Sequence, residues 1–407
     1  MRIPELLAPA GSLEKLKTAI DYGADAVYLG GNKLNLRAFA DNFTNEQIKE
    51  GVEYAHKRGK KVYMTLNVIP HNGDLYGLED YLKEIYSLEV DAIIVADPGI
   101  IATAREVVPE LEIHLSTQAN NTNWRSAKFW YDQGVKRIVL ARELTMKEIN
   151  DVRENLPEEC EIEAFIHGSM CMSYSGRCVM SNYMTGRDSN RGACAQPCRY
   201  KYYLVEEKRP GEYFPIIEDD KGSYIMNSKD LCMIEHIPEL MESGIYSFKI
   251  EGRMKSSYYV AAIVKSYRQA IDAYLENPEG YELKQSWVDN LLKVSHRSYH
   301  TGFYFNEPNK QVYDTSSYVR DYDIVGVVKE YDEVNKIATI EQRNRVFEGD
   351  KVEVLGPVGE NYEIVLSDMH DGKGEKIEVA PRAQMIFSIK VDAPLKVKDM
   401  LIKGKDN

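Results

Sequence analysis

The chain has 407 residues, 43% hydrophobic and 28% charged, with a formal net charge of −13. A chain this long buries a large core without disulfide staples, and its acidic balance argues against broad nucleic-acid binding. The opening MRIPELLAPAGSLEKL lacks a basic segment followed by an apolar run, and no apolar stretch approaches the ~18 residues that span a bilayer. A cytoplasmic protein with reduced thiols and no membrane contact is therefore expected.

Eight short apolar runs punctuate the first part of the chain: Glu5–Ala10, Ala26–Gly31, Lys61–Asn67, Ala92–Asp97, Glu112–Thr117, Arg137–Arg142, Glu161–Gly168 and Tyr246–Arg253. Their brevity and their Val, Ile, Leu and Tyr content suit strands buried on both faces of a parallel sheet. Segments between them, such as SLEKLKTAIDYG and TNEQIKEGVEYAHKRG, read as helices with Ser12 and Thr44 as N-caps and glycine at their ends. YGADAVYLG, LEVDAIIVAD, QGVKRIVLAR and SGIYSFKIEG form a weak repeat with the period of a βα unit. No G-x-G-x-x-G follows any strand, which removes the main use of an open doubly wound sheet. The expected fold is α/β: a (β/α)8 TIM-like barrel over residues 1–320.

A cysteine-rich insertion, residues 169–240, separates strands seven and eight. In a barrel it emerges on the C-terminal face, where active sites sit. Beyond it the pattern changes. Residues 321–407 show period-two alternation between turn residues, which predicts a small antiparallel β-barrel domain.

Five of the six cysteines lie in or just after the first part of this insertion: Cys171, Cys178, Cys194, Cys198 and Cys232. Cys160, at the start of strand seven, reads as a small buried hydrophobe. Reduced thiolates in such number point to zinc or an iron–sulfur cluster. Structural zinc favours two close C-x2–4-C pairs, and only Cys194-Ala-Gln-Pro-Cys198 has that spacing. Ligands scattered over loops suit a [4Fe–4S] cube better. Five thiols compete for four places. Pro197 disfavours a helical turn at Gln196, so the expected set is Cys171, Cys178, Cys194 and Cys232, with Cys198 spare. From Arg177 to Tyr203 the charges are Arg177, Arg187, Arg191, Arg199 and Lys201 against Asp188, a basic island on an acidic chain. An anionic partner could dock there.

Polar residues also gather at the ends of the strands: Asn35 and Arg37, Asn67, Asp97, Gln118 and Asn120, Arg142, His167, and Glu251 with Arg253. At the C-terminal ends of barrel strands they would ring one pocket, because the strands otherwise carry almost no polar residues.

EAFIHGSMCMSYSGRCVMS, from Glu163 to Ser181, resembles the signature of the collagenase-like peptidase family of unassigned catalytic type. RGACAQPCR, FKIEGRMKS and LAPAGSLEKLKTAIDYGADAVYLGG match the same family, and the resemblance spans the whole chain. Within it the chain is most similar to the prephenate-dependent tRNA uridine hydroxylases. That resemblance implies an iron–sulfur enzyme that forms 5-hydroxyuridine at the wobble position, in the anticodon region of tRNA, with prephenate as co-substrate. It leaves room for a paralogous protein partner. Under it, Arg142 and Arg253 would clamp carboxylates. His167 would move a proton and Glu251 would act as base or orient an arginine. Tyr174, Tyr183 and Tyr200 would stack on bases, and Arg187, Arg191, Arg199 and Lys201 would hold phosphates, with Arg37, Asn67 and Gln118 contacting substrate.

Two alternatives stay open. One is the peptidase activity in the family's name; the other is hydroxylation of a different substrate, rRNA cytidine or the ubiquinone ring. The chain has no H-E-x-x-H, and its nearest approach to G-x-S-x-G, His167-Gly168-Ser169-Met170-Cys171, lacks the second glycine. A Cys171–His167 pair is the remaining peptidase option.

Overall fold

A computed structural model describes residues 2–36, 42–171, 173–200, 229–305 and 318–405, with short pieces at 203–204, 208, 211 and 214–215. Eight strands, Glu5–Pro9, Ala26–Leu29, Lys61–Leu66, Ala92–Val95, Glu112–Leu115, Arg137–Val139, Glu161–Ser169 and Ser247–Ile250, pair in parallel in that order. The last pairs with both the seventh and the first, which closes the ring. All eight were legible as apolar runs.

Helices between the strands form as their caps dictate. The Ser12 side chain accepts from the Lys15 amide at the start of Leu13–Asp21. Thr44 and Gln47 form a reciprocal capping box at the start of Asn45–His56. Leu16, Ala19 and Ile20 of the first helix and Ile48 and Val52 of the second face the outer surface of the barrel and are buried. Each of the leucine, isoleucine and valine side chains contributes roughly 1.5–3 kcal/mol.

The barrel interior is different. Leu7, Ala26, Tyr28, Tyr63, Ala92 and Ile94 form a thin apolar layer. Around it lies an ionic network that overturns the expectation of strands nearly free of polar residues. Residues two apart on a strand share a face, so Glu161 and Glu163 point inward together. Arg137 donates to Glu5 at 2.6 Å, Glu161 at 2.9 Å and Glu163 at 3.1 Å. Lys249 donates to Glu163 at 2.7 Å, and the Tyr63 and Ser247 hydroxyls donate to Glu5 at 2.5 and 3.0 Å. Every member of this set is buried.

Burial alone would raise the Glu163 carboxyl, but Lys249 and Arg137 outweigh it and hold the group down to about 2, from an ordinary 4.5. His114, whose Nε2 lies 2.8 Å from Glu112, is pushed well below its ordinary 6.5 by burial and then by the Arg137 charge. In both cases the unfolded chain binds the proton more readily than the folded one. Stability therefore falls as pH drops, first below 6.5 through His114 and then between 4.5 and about 2 through Glu163. Urea midpoints from pH 7.5 to pH 3.5 are expected to decline steadily, and a His114→Phe variant is expected to flatten the upper part of that decline.

The C-terminal domain is a seven-stranded antiparallel sheet in the order Tyr362–Val365, Lys351–Leu355, Met400–Gly404, Tyr322–Asp332, Ile337–Gln342, Ile386–Lys390, His370–Asp371. Register shifts between Ile324 and Gly326 and between Val328 and Glu330 mark irregularities in its longest strand. The sheet wraps around Val328, Ile340, Val354, Phe387 and Leu401. Its described outer strands do not pair with each other, so the small antiparallel β-barrel domain that the alternation predicted takes the form of a half-barrel. Tyr22 donates to the Leu355 carbonyl at 2.8 Å and Lys293 pairs with Glu353 at 2.7 Å, fastening the half-barrel to the barrel's helices.

The insertion leaves the seventh strand at Ser169 and returns as Asp230–Cys232, antiparallel to it, with Asp230 opposite Ser169 and Cys232 opposite His167. It therefore sits on the C-terminal mouth, as expected.

Candidate active site at the barrel mouth

A cavity of about 620 Å³ opens between the strand ends and the insertion. That volume is in the range of small-molecule sites. Its floor is made by Tyr28, Thr65, Asn67, Lys249, Glu251 and Arg253; the insertion supplies a wall bearing Cys171, Cys178, Cys194 and Cys198. Arg142, Arg187, Arg199 and Lys255 complete a lining with six cationic side chains against two carboxylates, Glu143 and Glu251. On a chain with net charge −13 this is a strong local inversion, suited to an anionic ligand.

The floor is held rigidly. Arg253 donates to Thr65 at 3.1 Å, Asn35 at 2.7 Å and Asn42 at 3.3 Å. Gly30 leaves room for it: a Cβ there would stand 2.6 Å from a guanidinium nitrogen. Tyr28 donates to Glu251 at 3.1 Å. Lys249, anchored by Glu163, lies 4.7 Å over the Tyr28 ring. Arg142 donates to the Ser169 carbonyl at 2.8 Å and lies 4.4 Å over Phe165.

The wall is fastened at several points. Gln118 donates to Asn190 at 3.2 Å and Glu143 accepts from the Ser175 amide at 2.8 Å. Gly176, at φ +72°, packs so closely that a Cβ would fall 1.9 Å from the Gln118 carbonyl oxygen. Only glycine permits that approach and that backbone conformation. Arg191 pairs with Asp74 at 2.9 Å and contacts His71, so it ties the insertion to the loop after the third strand. It does not line the cavity, and its expected role as a phosphate holder is replaced by this tether.

Burial pushes the Cys198 thiol up to about 11 against the pull of Arg199, and the neighbouring Cys171, Cys194 and Cys178 add to the rise, so Cys198 lies among the other sulfurs of the wall. Burial would raise Cys178 as well, but hydrogen bonds from Ser173, the Met180 amide and Ser189 hold it below its ordinary value. The Gln196 amide donates to the Cys194 sulfur at 3.4 Å. Among the described residues no three ligating side chains are already drawn together at metal-binding distance. The donor set nevertheless has the right chemistry for a thiolate-held metal group: soft sulfurs on one wall, facing a polar cavity.

Cys232 stands apart from that wall. Its sulfur lies 3.9 Å from the Tyr267 hydroxyl and is pushed up to about 11, by burial first. His167, across the strand pair, is 1% exposed and packed among Tyr259, Tyr267 and Tyr299. Its Nδ1 lies 3.3 Å from the Tyr267 hydroxyl and its Nε2 finds no hydrogen-bond partner. Burial, with the Lys255 and His296 charges, pushes it down to about 3. It is a neutral imidazole outside the cavity lining, which corrects the expectation of a proton carrier near neutral pH.

Of the other expected residues, Asn67, Gln118, Arg142, Arg187, Arg199, Glu251 and Arg253 all line the cavity. Asp97 instead caps the helix Pro98–Val107, accepting from the Ile100 amide. Arg37 and Lys201 lie outside the described residues. Lys249, Tyr28 and Lys255 were missed. A lysine inside the apolar run YSFKIEG was the available signal.

A closed parallel barrel with a cysteine-bearing wall over its mouth defines a class. Residues 11–314 match Peptidase family U32, and residues 320–401 match the Peptidase family U32 C-terminal domain. The chain belongs to this family. It is 46% identical over 404 residues to "tRNA hydroxylation protein P1" of Bacillus subtilis (strain 168), covering 99% of this chain and 95% of that one. It is 37% identical over 419 residues to "tRNA hydroxylation protein P" of Escherichia coli (strain K12), covering 93% and 91%. An uncharacterized protease of Methanocaldococcus jannaschii is 43% identical over 395 residues, covering 95% of each chain. Among the described residues, no helix is long and apolar enough to cross a membrane.

Proposed function

We propose that this protein hydroxylates tRNA in the cytoplasm, converting wobble uridine to 5-hydroxyuridine with prephenate as co-substrate and a [4Fe–4S] cluster as resident group. The observation that carries this reading is the cavity itself, with a thiol wall on one side and buried cations on the other. The names of the two bacterial relatives support tRNA as substrate.

Cys171, Cys178 and Cys194 would hold the cluster, with Cys232 or Cys198 as the fourth ligand. When bound, such a cluster supplies one-electron redox capacity. Arg142 and Arg253 reach the cavity from two sides and would take the two carboxylates of prephenate. Lys249 adds a third positive charge at the floor. Asn67 and Gln118 offer both donors and acceptors to the edge of an everted uracil. Glu251, already accepting from Tyr28, is the carboxylate placed to receive a proton. Arg187 and Arg199 stand at the rim for phosphates, and a paralogous partner could share the tRNA.

The peptidase reading finds less support. A thiol protease needs a histidine beside its nucleophile, and among the described residues no histidine lines the cavity. The test is complementation of a strain lacking its own tRNA hydroxylation proteins, read by mass spectrometry of tRNA nucleosides and by iron content of the purified chain. The wild-type chain is expected to restore 5-hydroxyuridine. Cys171→Ser is expected to lose both iron and modification. Comparing Cys198→Ser with Cys232→Ser identifies the fourth ligand, since only the true ligand's loss strips iron. Modified tRNA from an iron-free Cys171→Ser protein would sink the cluster part of the reading.

A further inference from the structure

The insertion exposes large side chains that a globular surface normally hides. Tyr183 is 91% exposed, Val179 72%, Tyr174 62% and Tyr200 61%. Val179 and Tyr183 are four residues apart, at the start and middle of the helix Met180–Thr185, and so share a face. That helix packs against the Pro197–Arg199 turn, which Tyr200 follows. Met180, Tyr174 and Arg199 all line the cavity, so these side chains belong to its rim. Exposed apolar groups gathered beside a cavity mark a contact surface.

Charge says what the contact is. Between residues 173 and 200 the charged side chains are Arg177, Arg187, Arg191 and Arg199 against Asp188. Arg191 is engaged by Asp74, while Arg187 and Arg199 are held among the rings by the Ala193 and Met170 carbonyls, each at 3.1 Å. Planar faces interleaved with guanidinium groups suit unpaired bases and their phosphates. A duplex presents no free base faces to such a surface.

Resting on the RNA reading above, we propose that Tyr174, Tyr183 and Tyr200, with Arg177, Arg187 and Arg199, form a stacking platform. It holds the unpaired nucleotides that flank the base in the cavity. The protein thus selects loop RNA over duplex RNA by ring faces, and phosphate contacts add affinity without discrimination.

The test is fluorescence anisotropy with the full chain, using a labelled RNA hairpin with a uridine-containing loop and a blunt RNA duplex of equal length. Hairpin binding is expected to exceed duplex binding. Tyr183→Leu, which keeps bulk and removes the ring, is expected to weaken hairpin binding about tenfold, and Tyr183→Phe to retain it. Tyr174→Leu provides a second, independent variant at the cavity's edge. Equal binding of hairpin and duplex, or no loss in either leucine variant, overturns the platform. Binding is read without turnover. Ring-dependent hairpin binding with no nucleoside hydroxylation would overturn the proposed reaction and leave the platform standing; the reverse pattern would do the opposite.

Discussion

Arg137→Met is expected to destabilise the barrel by about 3–5 kcal/mol, the cost of leaving buried carboxylates without their cation. Arg137 is fully buried and, among the described residues, is the only cation bonded to both Glu5 and Glu161. Methionine fills most of the volume, so the loss reports charge and not a cavity. Removing the Glu5 and Glu161 charges in the same background (Glu5→Gln, Glu161→Gln) is expected to recover part of it, because the penalty lies in the unpaired ions while Glu163 keeps Lys249. Urea unfolding of the single and triple variants checks both statements. An Arg137→Met midpoint equal to wild type would show that the network is solvated and contributes little to stability.

Lys249→Met is expected to lower kcat/KM for the small anionic co-substrate by roughly a hundredfold, the scale seen when one preorganised donor is removed from a closed site. Lys249 reaches the cavity floor between Tyr28 and Phe165, and its bond to Glu163 holds it in place. The stability cost should be smaller than for Arg137→Met, since Arg137 still neutralises Glu163. Binding of prephenate alone, measured by calorimetry, separates the two effects. A folded Lys249→Met protein that binds prephenate as wild type does would remove Lys249 from the site.

The two variants also mark where sequence reasoning stopped. The eight strands and their order were legible because short apolar strands of three to nine residues between capped helices leave few other solutions. The inward charges were not. Glu161 and Glu163 sit in a run that otherwise reads as buried strand, and alternation does not distinguish a charge facing solvent from one facing another strand's arginine across a barrel. Those pairings join residues on different strands, 24 positions apart for Arg137 and Glu161 and 132 for Glu5 and Arg137. The mouth was legible because a strand's last polar residue has a fixed place in a barrel. The choice among five cysteines was not, since it depends on how the insertion folds back: Cys198 shares the wall, and Cys232 returns on the strand behind it. His167 fell to the same cause, because position along a strand does not reveal which face three tyrosines will cover.

The most direct measurement is a reconstituted reaction. Anaerobically purified, iron-loaded protein is incubated with unmodified tRNA and prephenate, and the anticodon fragment is sequenced by mass spectrometry. A gain of one oxygen on the wobble uridine is expected, dependent on prephenate and lost in Cys171→Ser. Unaltered tRNA from a folded, iron-loaded protein, or the same gain of oxygen in the iron-free Cys171→Ser variant, would contradict it.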